Sequence, residues 1–197
     1  MFEDTRTFNL FVYGTLMSGF NGNRNYIPKD TPYEKGFIRG NLYHYIGGYP
    51  MIEIPSSPYC GSLDYNRDIE IQNHYEDSDL TKIPFHIGYG NVYGEFYKIP
   101  YSRRTMEGMD NYEGFTGSTN TFYSRDLVPI QLKDRIEYGW VYNIKKLPNN
   151  VCRILTGDWH DCFNEDGNLL EYLNNLFFMS QAENENRLDP DEVDWLY

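Results

Sequence analysis

Leu10-Phe11-Val12-Tyr13-Gly14-Thr15-Leu16-Met17-Ser18-Gly19 is the stretch around which the rest of this chain is organised. Four apolar or aromatic residues in a row, Leu10 to Tyr13, read as a short buried strand. The strand stops at Gly14, where the missing Cβ permits a positive φ or the close approach of another group. Thr15, Leu16 and Met17 then leave the sheet with their N–H groups uncommitted. Such groups at the end of a buried strand can form an anion-binding concavity. Taken alone, the stretch says only that a strand ends and a loop begins.

Composition narrows the class of protein. The chain has 197 residues, enough for one domain with a proper core, or one domain plus an appendage. Its 19 tyrosines favour strands and wet, amphipathic cavities. A formal net charge of −12 argues against a duplex nucleic-acid binder and against an anionic membrane surface. The acidity is concentrated from residue 149 onward, where eleven Asp and Glu face two Arg. No run reaches the length of a membrane-spanning helix, and the first nine residues carry no secretory apolar core. Cys60, Cys152 and Cys162 form an odd set without a framework, so a reducing cytoplasm is the expected location.

The patterns outward from the opening stretch predict an α+β protein. Residues 20–34, rich in Asn, Gly and Pro, read as a loop with at most one helical turn. Residues 35–45 read as a strand with a bulge or close crossing at Gly40, followed by a Gly47-Gly48 turn and a short strand over 51–54. Residues 55–89 are irregular and read as an insertion. Residues 90–99 alternate as a clear strand. A helix is expected over 101–112, with Gly114 as its stop. Two strands follow, 121–132 and 135–144, joined by a tight Lys133-Asp134 turn. A further helix is expected over about 168–181, from the stripe Leu169, Leu170, Leu173, Leu176 and Phe177, packing on the core. The domain is thus read as 1–148, with 149–197 as an acidic extension.

Few residues announce chemistry. There is no P-loop, HExxH, CxxC pair or G-x-S-x-G. Cys152, His160 and Cys162 fit no standard zinc spacing, so neither a metal nor a cofactor is expected. Glu113 is the carboxylate of interest, since a negative charge at a helix C-terminus opposes the macrodipole.

Taken together, six stretches in order resemble the γ-glutamylcyclotransferase family in its broad, AIG2-like sense. They are Phe11-Val12-Tyr13-Gly14-Thr15-Leu16; Gly40-Asn41-Leu42-Tyr43 with Gly48-Tyr49-Pro50; Val92-Tyr93-Gly94-Glu95-Phe96-Tyr97; Met109-Asp110-Asn111-Tyr112-Glu113-Gly114; Tyr123-Ser124-Arg125; and Trp140-Val141-Tyr142. Thr156-Gly157-Asp158-Trp159 is similar to a later family element. The 55–89 stretch and the acidic extension exceed a minimal family domain.

The resemblance implies a small mixed β-barrel with a few short helices. It implies a cavity whose substrate contacts are Tyr13, Gly14, Thr15 and Leu16, with Met17 beside them, together with Tyr123, Arg125 and Tyr142. It assigns the acid/base role to Glu113. The reaction implied is cyclisation of a γ-glutamyl amine to 5-oxoproline with release of the amine. Such a substrate carries its own nucleophile, which agrees with the lack of any triad motif. The alternative is a non-catalytic binding module on the same barrel, suggested by the insertion and the acidic tail. The sequence leaves the identity of the γ-glutamyl substrate and the oligomeric state open.

Overall fold

β1 (Thr7–Val12) forms because Phe8, Leu10, Phe11 and Val12 are apolar and buried, and the buried Asn9 between them is hydrogen-bonded. It lies antiparallel to β5 (Gly90–Pro100), with Leu10 opposite Tyr97, and parallel to β7 (Ile136–Ile144), with Leu10 opposite Trp140. β5 also pairs antiparallel with the first half of β2 (Tyr33–Tyr45), from Tyr33 opposite Tyr97 to Gly40 opposite Gly90. β7 pairs along its whole length with β6 (Tyr123–Gln131). Phe37 of β2 meets Gln131 of β6. The order β2-β5-β1-β7-β6 therefore closes on itself as a five-stranded mixed barrel. Closure removes the free edges that an open sheet would expose. The α+β class and the barrel expected from the sequence are both present. The computed structural model describes residues 6–76, 82–117, 123–171 and 173.

The second half of β2 leaves the barrel at Gly40. It becomes the middle of a three-stranded sheet with β3 (Tyr49–Glu53) and β8 (Val151–Ile154). β4 (Tyr59–Cys60) adds to the edge of β6. β8 lies beyond residue 148 yet is paired through Leu42–Tyr45, and Trp159, in a 3-10 turn (Trp159–Cys162), stacks on buried His44 at 5.3 Å. The hairpin between β6 and β7 turns as expected at Lys133-Asp134, closed by Leu132 N–H donating to Arg135 O at 2.9 Å.

Among the described residues, three α-helices with full ranges dress the barrel. α1 (Asn21–Tyr26) follows the opening loop. α3 (Arg103–Glu113) is the helix expected from the sequence, with Ser102 Oγ accepting at its start and Gly114 in the left-handed region, φ 70°, at its end. Its buried face is Met106, Met109 and Asp110.

α2 (Tyr65–Glu76) corrects the reading of residues 55–89 as irregular. Its buried positions, Tyr65, Asp68, Ile69 and Gln72, have helical spacing. Two of the four are polar, and a search for apolar periodicity passes over them. Gln72 Oε1 accepts from Asn9 N–H at 2.8 Å, and Gln72 Nε2 donates to Thr7 O at 3.3 Å. These bonds serve β1 backbone groups that its short parallel pairing with β7 leaves over. Of the helix expected over 168–181, residues 168–171 and 173 lie within the described residues, and its start is later than expected: Leu169 bridges Phe163, Glu171 and Leu173 are helical, and Leu173 is buried.

Candidate active site

One cavity of about 440 Å³ opens at the end of β1. Its floor and one wall are the loop Tyr13-Gly14-Thr15-Leu16, and Glu113 stands on the wall that α3 supplies. Tyr49 and Pro50 of β3, Tyr123 of β6 and Tyr142 of β7 complete it. Seven of the eight residues assigned to the site are therefore brought together.

The loop is held from behind. Met17 N–H donates to Gly14 O at 2.8 Å. Asn23 of α1 donates twice, from its backbone to Thr15 O at 3.2 Å and from its amide to Leu16 O at 2.8 Å. Tyr112 OH reaches Thr15 Oγ1 at 3.1 Å, and Ser18 N–H donates to the buried Glu95 Oε2 at 2.6 Å. The loop carbonyls are thus engaged, whereas the N–H groups of Thr15 and Leu16 meet no protein acceptor among the described residues. Gly14 is required for a steric reason: a Cβ there would stand 2.1 Å from Pro50 Cγ. The close approach anticipated for Gly14 is real, and its neighbour is the rim of β3.

Glu113 is the last residue of α3 and is half-buried. The left-handed turn at Gly114 carries the chain away, so Phe115 N–H donates back to Asp110 O at 2.8 Å. The Glu113 carboxylate has no hydrogen bond or ion pair among the described residues. Burial, and then the charge of Asp110 one turn earlier, push its pKa from 4.5 up to about 7. A carboxyl poised there can both take and return a proton near neutrality.

Asp110 is the residue whose role the sequence did not disclose. Its Oδ1 accepts from Tyr142 OH at 2.6 Å and from Arg125 Nη1, and its Oδ2 accepts from Tyr65 OH at 2.8 Å. Arg125 Nη2 also donates to Asp68 Oδ2 and to Ser62 O, each at 2.6 Å. The guanidinium is fully buried among the rings of Phe8, Tyr65, Phe115 and Trp140. Arg125 therefore does not line the cavity as a substrate contact. It lies beneath the wall, committed to two carboxylates and a carbonyl. Asp110 and Glu113 are three apart and share a helix face. That spacing was a usable signal for Asp110, whereas Asp68 sat in a stretch read as irregular.

Tyr13 OH donates to the backbone O of Tyr142 at 2.9 Å, which fixes the Tyr13 phenol in the wall, and the Tyr142 phenol is fixed by its own bond to Asp110. Burial raises the pKa of Tyr13, Tyr123 and Tyr142, so all three remain protonated at neutral pH. Among the described residues no group of three or more His, Cys, Asp or Glu is placed to hold a metal ion. Cys152, His160 and Cys162 form no such cluster.

A closed five-stranded barrel with a glycine-bearing loop facing a helix-end carboxylate across one cavity defines a small-molecule site. The chain belongs to the family described as "Gamma-glutamyl cyclotransferase, AIG2-like", which matches residues 10–62 and 66–161. A comparison with curated proteins gives no match. Among solved structures, YkqA from Bacillus subtilis is similar at 17% identity and a TM-score of 0.47, over 79% of this chain and 40% of that one. The match thus spans less than half the length of that protein. The uncharacterized protein PH0828 from Pyrococcus horikoshii is similar at 16% identity and a TM-score of 0.44, over 92% of this chain and 98% of that one. An AIG2-like protein from Mus musculus is similar at 14% identity and a TM-score of 0.45, over 73% of this chain and 81% of that one.

Proposed function

We propose that this chain is a γ-glutamylcyclotransferase that converts a γ-glutamyl amine to 5-oxoproline and the free amine, with Glu113 as the acid/base. The observation that carries the reading is the half-buried Glu113 carboxylate, without a hydrogen-bond or ion-pair partner among the described residues, sharing one cavity with the Thr15 and Leu16 N–H groups. The location of Glu113 on the cavity wall, beside Tyr13–Leu16, supports an acid/base role over a purely binding one. Three free cysteines suit a reducing, cytoplasmic setting.

The chemistry follows from these parts. The substrate's α-ammonium gives a proton to Glu113, and the freed amine attacks the γ-carbonyl carbon to close a five-membered ring. The loop N–H groups hold substrate oxygen as negative charge develops. Glu113 then returns that proton to the departing nitrogen as the amide C–N bond breaks, and the ring nitrogen gives up its second proton through the re-ionised carboxylate to solvent, which leaves the uncharged lactam ring of 5-oxoproline and the free amine. No protein nucleophile is consumed. Holding the γ-glutamyl chain curled in the cavity supplies proximity, worth up to roughly 7–11 kcal/mol in ideal intramolecular cases. Tyr123 and Tyr142 contribute wall and hydroxyl dipoles, and Arg125 acts only through Asp110.

The test is product identity. Purified chain incubated with a panel of γ-glutamyl amides releases equal amounts of amine and 5-oxoproline. Release of glutamate in place of 5-oxoproline means hydrolysis and rejects the reading, as does the absence of any release.

A further inference from the structure

The barrel closes at a narrow seam. β2 and β6 touch at one register position, Phe37 opposite Gln131, before β2 turns out into the three-stranded sheet. On the same edge of β6, β4 pairs only with Leu127 and Asp126. Val128 and Pro129 therefore have β7 on one side and no strand on the other. Pro129 suits that edge, since it has no N–H to leave over. The gap beside them is walled by the two ends of the 55–89 stretch, with Pro58 from one and Ile83 from the other. It forms a cavity of about 370 Å³ that shares no lining residue with the cavity of Glu113. Small-molecule pockets run from about 300 to 1,000 Å³.

One cation faces this space with little to hold. Among the described residues Arg39 is the only Lys or Arg in the lining, and no Asp or Glu joins it. Arg39 is half-buried, and its Nη1 donates to the neutral Asn91 Oδ1 at 2.5 Å. Its Nε is buried without an acceptor, and no carboxylate meets the guanidinium among the described residues. Arg125, by contrast, is spent on Asp68 and Asp110, and Arg135 on Glu34 and Glu137. Phe85, 73% exposed, sets its ring over the Arg39 guanidinium at 5.7 Å. Withdrawing a charge from water without a partner is unfavourable, and the guanidinium fork matches a carboxylate. Ile83, Val128, Pro58 and the Tyr138 ring offer the rest of such a ligand an apolar chamber.

We propose that the barrel seam is a second binding site, which takes a small monocarboxylate with an apolar body and pairs its carboxylate with Arg39. The site is independent of the cyclotransferase reading and stands or falls without it. It gives the ends of the 55–89 stretch a use, as the walls of this chamber.

The probes are phenylacetate and phenylacetamide, which share a shape and differ in charge. Each is titrated into the full chain carrying labelled Ile, Leu and Val methyl groups. Phenylacetate is expected to shift the Ile83 and Val128 methyls saturably, with phenylacetamide at least about tenfold weaker at the same methyls. Arg39→Gln should weaken phenylacetate by a similar factor and leave phenylacetamide unchanged, and Arg39→Lys should recover part of the loss. Equal binding of the two probes by the wild type overturns the proposal, whether or not Arg39→Gln folds. So does the absence of saturable shifts at Ile83 and Val128. Shifts confined to Val12 and Leu16 place phenylacetate in the cavity of Glu113 and also overturn it.

Discussion

Glu113 carries its charge at the one end of α3 where the backbone dipole is also negative. Burial and Asp110 add to that, and the carboxyl holds its proton up to about pH 7. The kcat/KM profile should therefore rise with pH as Glu113 ionises, with an inflection near pH 7, and Glu113→Gln should lack it. Stability follows the same group with a definite sign. The folded chain binds this proton more tightly than the unfolded one. Its stabilising effect is complete below the unfolded value of 4.5 and is lost as pH rises to about 7. The Tm of Glu113→Gln should gain on that of the wild type between about pH 5 and about pH 8. A constant difference contradicts the assigned environment. Gly14 makes a second prediction. With Pro50 Cγ 2.1 Å from the position of a Cβ, Gly14→Ala must shift the loop or the rim of β3. The expected cost is about 1–3 kcal/mol of stability. Displacing the N–H groups by ~1 Å should reduce turnover about a hundredfold. Activity and urea unfolding measured on the same preparation separate the two.

At the scale of elements, α2 and α3 are joined through one guanidinium. Arg125 holds Asp68 of α2 and Asp110 of α3 inside the barrel wall, and both carboxylates lose their cation if it goes. Arg125→Met should destabilise the chain by about 3–5 kcal/mol, read as a fall in the denaturation midpoint. A neutral result would mean that the ion pairs contribute nothing net. The strands of the barrel were legible because their alternation is apolar: β5 and β7 read directly, and the end of α3 was marked by Gly114. α2 was not legible, because Asp68 and Gln72 occupy its buried positions. What they bury is hydrogen bonding to Arg125 and to β1, and a polar residue signals burial only once its partner is known. The place of Arg125 was misread for the same reason. Its strand position is shared in phase with Tyr123, yet Tyr123 lies at the cavity end of β6 and Arg125 beside the paired carboxylates.

The whole molecule assembles a site from residues about a hundred positions apart. Barrel closure brings the end of β1 to the end of α3, and the three-stranded sheet on the second half of β2 adds Tyr49 and Pro50 as the rim. The opening loop was recognisable in the sequence as a strand end, but its N–H groups acquire a use only opposite Glu113. That this carboxylate meets no hydrogen-bond or ion-pair partner among the described residues, on which the proposed chemistry depends, is a property of the assembled chain. One measurement tests this account most directly. Wild type and Glu113→Gln are given the same γ-glutamyl amide, and 5-oxoproline is quantified in each. The account predicts release by the wild type and a loss of about a hundredfold or more in a variant that remains folded. Equal release by the two would contradict it.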